Sequence, residues 1–170
     1  MKKLLLLIFL TVGITAAKAQ NTAPVNTAIP PFKILTKDST YLTPANLKKH
    51  KATIVVYFAP DCTHCQHFTD ELKLKLDREK RQAAKPFTNA QVVMITFTAV
   101  LNMKLFYIDF GLAKYPNIMM GTEGTTYVVL RYYNVKTTPY IAVYDKNGKL
   151  IQGFDKAPTM EVLEDALKKA

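Results

Sequence analysis

The chain has 170 residues, 49% of them hydrophobic, with 23 Lys and Arg against 13 Asp and Glu and only two cysteines. That length suits one domain whose core needs neither a disulfide framework nor a structural metal, and the composition excludes wholesale disorder. The formal net charge of +10 invites a nucleic-acid or membrane reading, although part of it lies in the N-terminal segment.

Met1-Lys2-Lys3 is a short basic start, Leu4 to Ala17 carries no charge, and Ala17-Lys18-Ala19 is a small-x-small site before Gln20. That order predicts a secretory signal peptide over residues 1–19, cleaved after Ala19. The apolar run is shorter than the roughly 20 residues of a spanning helix, so no stable membrane insertion is expected after cleavage. Losing Lys2, Lys3 and Lys18 leaves 20 basic residues against 13 acidic ones, a balance of +7. The remaining lysines look scattered, densest at Lys48, Lys49 and Lys51, and the aromatic residues lie in apolar runs apart from them. A nucleic-acid face would mix the two, so nucleic acid is not an expected partner.

Residues 20–31 are small, polar and dotted with proline, which predicts a flexible lead-in. Phe32 to Leu35 and Thr40 to Leu42 are short strand candidates around a turn, and Thr43-Pro44 predicts a short helix to about Lys49. Ala52 to Ala59 is a continuous, β-branched apolar run, which predicts a strand buried on both faces. From Cys65 the apolar spacing changes to that of an amphipathic helix, reaching about Ala84. Gln91 to Thr98 is a second buried-type strand. Asn102 to Ala113 is a helix candidate, Asn117 to Met120 a short strand, and Glu123 to Tyr133 a further helix. Tyr140 to Tyr144 and Lys149 to Phe154 flank the turn Asp145-Lys146-Asn147-Gly148 as a hairpin, before a last helix from about Thr159 to Lys169. The order implies an α/β fold, a mixed sheet with helices on both faces.

The chemistry-bearing motif is Cys62-Thr63-His64-Cys65, at the junction of the first buried strand and its helix. A helix N-terminus presents free N–H groups and partial positive charge, which stabilise a thiolate on Cys62. Cys65, one turn along, can resolve a mixed disulfide formed on Cys62. Three readings compete. A structural Cys62–Cys65 disulfide would close too short a loop to stabilise much. A metal site using Cys62, His64, Cys65 and His67 lacks the second ligand pair of structural zinc, which leaves copper handling. Thiol–disulfide exchange fits the spacing best.

Thr137-Thr138-Pro139 directly precedes the strand beginning at Tyr140. With Cys62 to Cys65 opening a helix, then strand, helix, Thr-Pro, hairpin and helix, the chain resembles the thioredoxin superfamily from about residue 32 to 170. The resemblance implies a thioredoxin-like three-layer α/β/α sandwich. It also implies a cis peptide bond before Pro139, with Pro139 and Thr138 contacting substrate, Cys62 and Cys65 catalytic, and a redox-active Cys62–Cys65 disulfide. The N-terminal hairpin, the export signal and the long stretch from Thr98 to Thr138 are similar to the TlpA/ResA-like exported branch. That branch carries a strand–helix insertion, for which Ala99 to Gly121 stand in the right place. The implied function is protein thiol–disulfide exchange, most readily as a reductase in the periplasm. Its partners would be protein thiols or disulfides and a membrane-bound electron donor, with no cofactor and no metal. A disulfide oxidase or isomerase, a copper-binding chaperone and a catalytically weak binding module are the alternatives.

Two residues depart from the common pattern. Asp61 stands where most relatives carry Trp, and an anion beside Cys62 opposes thiolate formation. His64, before the second cysteine as in exported oxidases, favours the thiolate, so Asp61 and His64 are expected to tune the pKa of Cys62 in opposite senses. The strand Ile54 to Phe58 lacks the acid that many thioredoxins place beneath the second cysteine. Glu71, Asp109 and Glu123 are the candidates to replace it.

Overall fold

The computed structural model describes residues 27–170; the expected signal peptide and the first part of the lead-in lie outside the described residues. The rest of the lead-in is pinned, where flexibility was expected. Thr27 accepts from Leu150 N at 2.7 Å, Ala28 pairs with Lys149, and the Tyr132 hydroxyl donates to the Ala28 carbonyl at 2.5 Å. Backbone pairing overrides the composition here.

Strands β1 (Ile34–Thr36) and β2 (Tyr41–Leu42) form the N-terminal hairpin. The helix expected after Pro44 is only a 3₁₀ turn over Pro44–Asn46, because the Gln91 amide draws the chain aside by bonding both Lys48 N and Lys48 O. Strand β3 (Thr53–Tyr57) is buried throughout and leads to helix α1 (Thr63–Glu79). Helix α1 stops short of Ala84 because the buried Glu79 carboxylate turns to accept from Phe87 N, Thr88 N and the Thr88 hydroxyl, capping α2 (Pro86–Asn89). That short helix has too little periodicity to be read in advance. Strand β4 (Gln91–Thr96), helix α3 (Val100–Asp109) and strand β5 (Ile118–Thr122) follow. The helix expected from Glu123 is split by Tyr127 at φ +48°, leaving a 3₁₀ turn and then α4 (Val128–Tyr133). Strands β6 (Tyr140–Tyr144) and β7 (Leu150–Phe154) make the C-terminal hairpin, and α5 (Met160–Lys168) closes the chain.

The seven strands form one mixed sheet in the order β2-β1-β5-β4-β3-β6-β7. Neighbours β3, β4 and β5 run parallel, whereas β6 runs antiparallel to β3. Because side chains alternate along a strand, Ile54, Val56 and Phe58 face one layer and Val55 and Tyr57 the other. The first layer packs on Phe68, Leu72 and Leu76 of α1, Met103 and Phe106 of α3, and Leu163 of α5. The second is covered by Val129 of α4 together with Phe32 and Ile34. Met94, Met103 and Met120 all fill the first of these cores. Helices therefore cover both faces, as the alternation of elements implied. The segment 99–121 supplies α3 and then most of β5.

Candidate active site

The register of two strands assembles the site. Tyr57 ending β3 lies opposite Tyr140 opening β6, so the residues after Tyr57 meet those before Tyr140 at one edge of the sheet. The first group carries Cys62 and the second Thr138-Pro139, whose peptide bond is cis. Pro139 is buried, with Thr138 half-buried beside it. Thr137 is tied back by its hydroxyl to the Asp155 carbonyl at 3.2 Å.

Cys62 is the N-cap of α1, in extended conformation, and its sulfur accepts from Cys65 N at 3.3 Å. Its carbonyl accepts from Cys65 N at 2.9 Å and from Gln66 N at 3.0 Å, which starts the helix. The Cys62 thiol also donates to the Thr138 carbonyl at 3.3 Å. Both cysteines are free thiols; Cys62 is half-buried and Cys65 buried.

Their environments drive the two thiols apart. Burial acts to raise the pKa of Cys62. The side chains of Cys65 and Thr138 and the N–H groups of Cys65 and His64 outweigh it, holding this thiol below its ordinary value. Cys65 is pushed up to about 12, first by burial and next by its hydrogen bond with Cys62. A readily formed thiolate thus sits at the surface above a protonated thiol. That pairing suits an attacking sulfur and a resolving one.

Gln66 is a contributor that the sequence did not announce. Its side-chain amide donates to the Pro60 carbonyl at 2.8 Å, bracing the Pro60-Asp61-Cys62 turn against the first turn of α1. No spacing rule marks a glutamine six residues after a carbonyl. Asp61 and His64 both expose their side chains, and neither hydrogen-bonds to Cys62; what His64 brings to the sulfur is its backbone N–H.

The candidate acids do not gather under Cys65. Glu71 pairs with His67 at 3.5 Å on the exposed side of α1, and Asp109 is exposed at the end of α3. Glu123 is buried on the other face of the sheet, accepting from the Tyr57 hydroxyl at 2.7 Å and from Val129 N at 2.8 Å. The acid is therefore present but spent on the turn into α4. Among the described residues no three His, Cys, Asp or Glu side chains are grouped to hold a metal ion, which leaves a copper site only the two thiols. Phe106 and Phe110 stack at 4.2 Å, with Phe106 buried against Phe58.

A family model described as a thioredoxin-like domain matches residues 42–170. The chain belongs to the thioredoxin-like family. Solved structures share this thioredoxin-like fold. A secreted disulfide oxidoreductase of Mycobacterium tuberculosis is 18% identical with a TM-score of 0.63, over 82% of this chain and 96% of that one. A thiol-disulfide oxidoreductase from Bacteroides fragilis is 17% identical with a TM-score of 0.65, over 84% and 98%. The exposed lipoprotein thioredoxin of Streptococcus pneumoniae is 19% identical with a TM-score of 0.59, over 82% and 98%. No curated protein matches the chain.

Proposed function

We propose that this thioredoxin-like protein is an exported thiol–disulfide oxidoreductase acting on protein substrates, working as a reductase in the periplasm. The observation that carries the reading is the Cys62 sulfur, held at the N-terminus of α1, 3.3 Å from Cys65 N and 3.3 Å from the Thr138 carbonyl before a cis proline.

The Cys62 thiolate attacks one sulfur of a substrate disulfide, whose S–S bond breaks as the Cys62–substrate bond forms. The departing sulfur leaves as a thiolate and takes up a proton. Cys65 then loses its proton and attacks the Cys62 sulfur, forming the Cys62–Cys65 disulfide and releasing the second substrate thiol. Two electrons and two protons have passed to the substrate. A membrane-bound donor of two electrons returns the pair to its thiols. Thr138 and Pro139 hold the substrate chain next to Cys62, and Asp61 and His64 set the fine balance of its thiolate. Export rests on the signal peptide expected over residues 1–19. Assignment to the TlpA/ResA-like branch rests on that signal, the N-terminal hairpin and the α3–β5 segment.

The test is a Cys65→Ala trap expressed in the native compartment. Cys62 retains a substrate as a mixed disulfide there, and reduction releases it. A trap that stays empty while the variant is folded and exported overturns the proposal. A reduction potential near about −270 mV supports the reducing direction, and one near about −120 mV assigns oxidation instead.

A further inference from the structure

The sheet register that places Cys62 at one edge places a group of lysines at the other. Thr53, opening β3, lies opposite Tyr144, ending β6. Lys48, Lys49 and Lys51 lie just before Thr53, and Lys146 lies just after Tyr144. These four lysines line one cleft of about 320 Å³, at the pole of the molecule away from the redox pair.

Some lysines elsewhere are held by carboxylates, and these four are not. On α1 and its C-cap, Lys73 pairs with Asp70, Lys75 with Glu164 and Lys80 with Asp77. Among the described residues, none of Lys48, Lys49, Lys51 and Lys146 enters an ion pair. The one acid in the cleft, Asp145, spends an oxygen on Asn147 N at 2.8 Å and Lys149 N at 2.9 Å. The fold adds Lys146 to the three lysines that were already the densest group in sequence.

The make-up of the cleft indicates its partner. It contains no Arg, Phe, Tyr or Trp, and the exposed His50 is its one ring, so it lacks the bidentate forks and buried anchors that protein interfaces use. A single ring is also short of the successive stacking platforms of single-stranded nucleic-acid sites. Flexible lysines as point charges on two loops, with Pro44, Leu47 and Ile29 between them, suit a broad, fluid anionic surface.

We propose that this basic pole docks the protein on an anionic phospholipid bilayer, leaving Cys62 facing away from the lipid toward its substrates. The contact is peripheral and electrostatic. It does not depend on the redox reading, because lipid binding is measured without any thiol reaction.

The experiment is co-sedimentation of the purified protein with vesicles. Phosphatidylcholine mixed with phosphatidylglycerol is compared with phosphatidylcholine alone. Binding to the anionic vesicles is expected, weakening as salt shortens the screening length. Each of Lys48→Ala, Lys49→Ala, Lys51→Ala and Lys146→Ala is expected to weaken it about fivefold. Lys80→Ala, which removes a paired lysine, leaves it within about twofold of wild type, and replacing all four lysines by Arg preserves it. A Cys62 alkylation rate equal to wild type shows that each variant is folded. Equal binding to both vesicle types, salt-insensitive binding, or unchanged binding by the folded fourfold Lys→Ala variant overturns the proposal. So does displacement by inorganic phosphate or heparin where chloride at equal ionic strength has no effect, which would assign the pole to a soluble anion.

Discussion

The Cys62 thiol donates to the Thr138 carbonyl at 3.3 Å, a contact spanning 76 residues of sequence. The Thr138 carbonyl accepts from the thiol, and the Thr138 side chain acts in the direction of a lower pKa at Cys62 and, against the larger effect of burial, at Cys65.

Thr138→Val keeps the shape and the carbonyl but removes the hydroxyl. The pKa of Cys62 is then expected to rise by up to about one unit, roughly the worth of one hydrogen bond to a charged group. Alkylation at pH 7 falls by up to about tenfold, while the rate at a pH well above the thiol pKa is unchanged. An unaltered pH profile would remove the hydroxyl from the account.

Cys65 makes the reduced protein sensitive to high pH. Its folded pKa of about 12 exceeds its ordinary value of 9.0, so between these limits the unfolded chain has lost a proton that the folded chain keeps. Stability conferred by the protonated thiol is complete below about pH 9 and declines as pH rises toward 12. Tyr115, with its pKa raised to about 12 chiefly by burial, adds in the same direction. Urea midpoints of the reduced protein should fall steadily above pH 9, and less steeply in Cys65→Ala. Equal slopes would contradict the assignment.

The fold and the centre of the site were legible where local chemistry decides them. The β-branched run to Ala59 could only be a central strand, and a C-x-x-C after it could only open a helix. What pairs with what was not legible. Glu123 could serve Cys65 or Tyr57 until the face of β3 was known, and Val56 and Tyr57 point to opposite layers. Gln66 and Pro60, or Lys51 and Lys146, become neighbours only through a turn or a strand register that no periodicity encodes.

Glu123 tests that division of faces. Glu123→Ala orphans the buried Tyr57 hydroxyl and the N–H of Val129, for a loss of about 2–3 kcal/mol in denaturant unfolding. Because the carboxylate lies across the sheet from the redox pair, the alkylation rate of Cys62 stays at the wild-type value. A large fall in that rate, with the protein folded, would place Glu123 in the reaction.

Gly121 tests the joint between the N-terminal hairpin and the sheet. It pairs with Thr36, and a Cβ there would stand 2.8 Å from Cγ1 of the fully buried Ile34. Gly121→Ala is expected to cost about 1–3 kcal/mol through overpacking. Ile34→Val in the same chain removes a methyl from the clash and recovers part of that loss. If the double variant is less stable than additivity allows, the two residues do not meet as described.

Asp61 and His64 flank the sulfur in sequence but direct their side chains into water, where their charges are screened. Asp61→Asn removes an anion near Cys62 and should speed alkylation at pH 7, by less than about threefold. His64→Ala keeps the backbone N–H that reaches the sulfur, so it should slow the reaction by no more than that. Raising the salt concentration narrows both differences but leaves the Thr138→Val effect intact, since a short-range hydrogen bond is screened far less than an exposed charge. If His64→Ala instead matches Thr138→Val in size and resists salt, the imidazole acts on the sulfur directly and the backbone account of His64 is wrong.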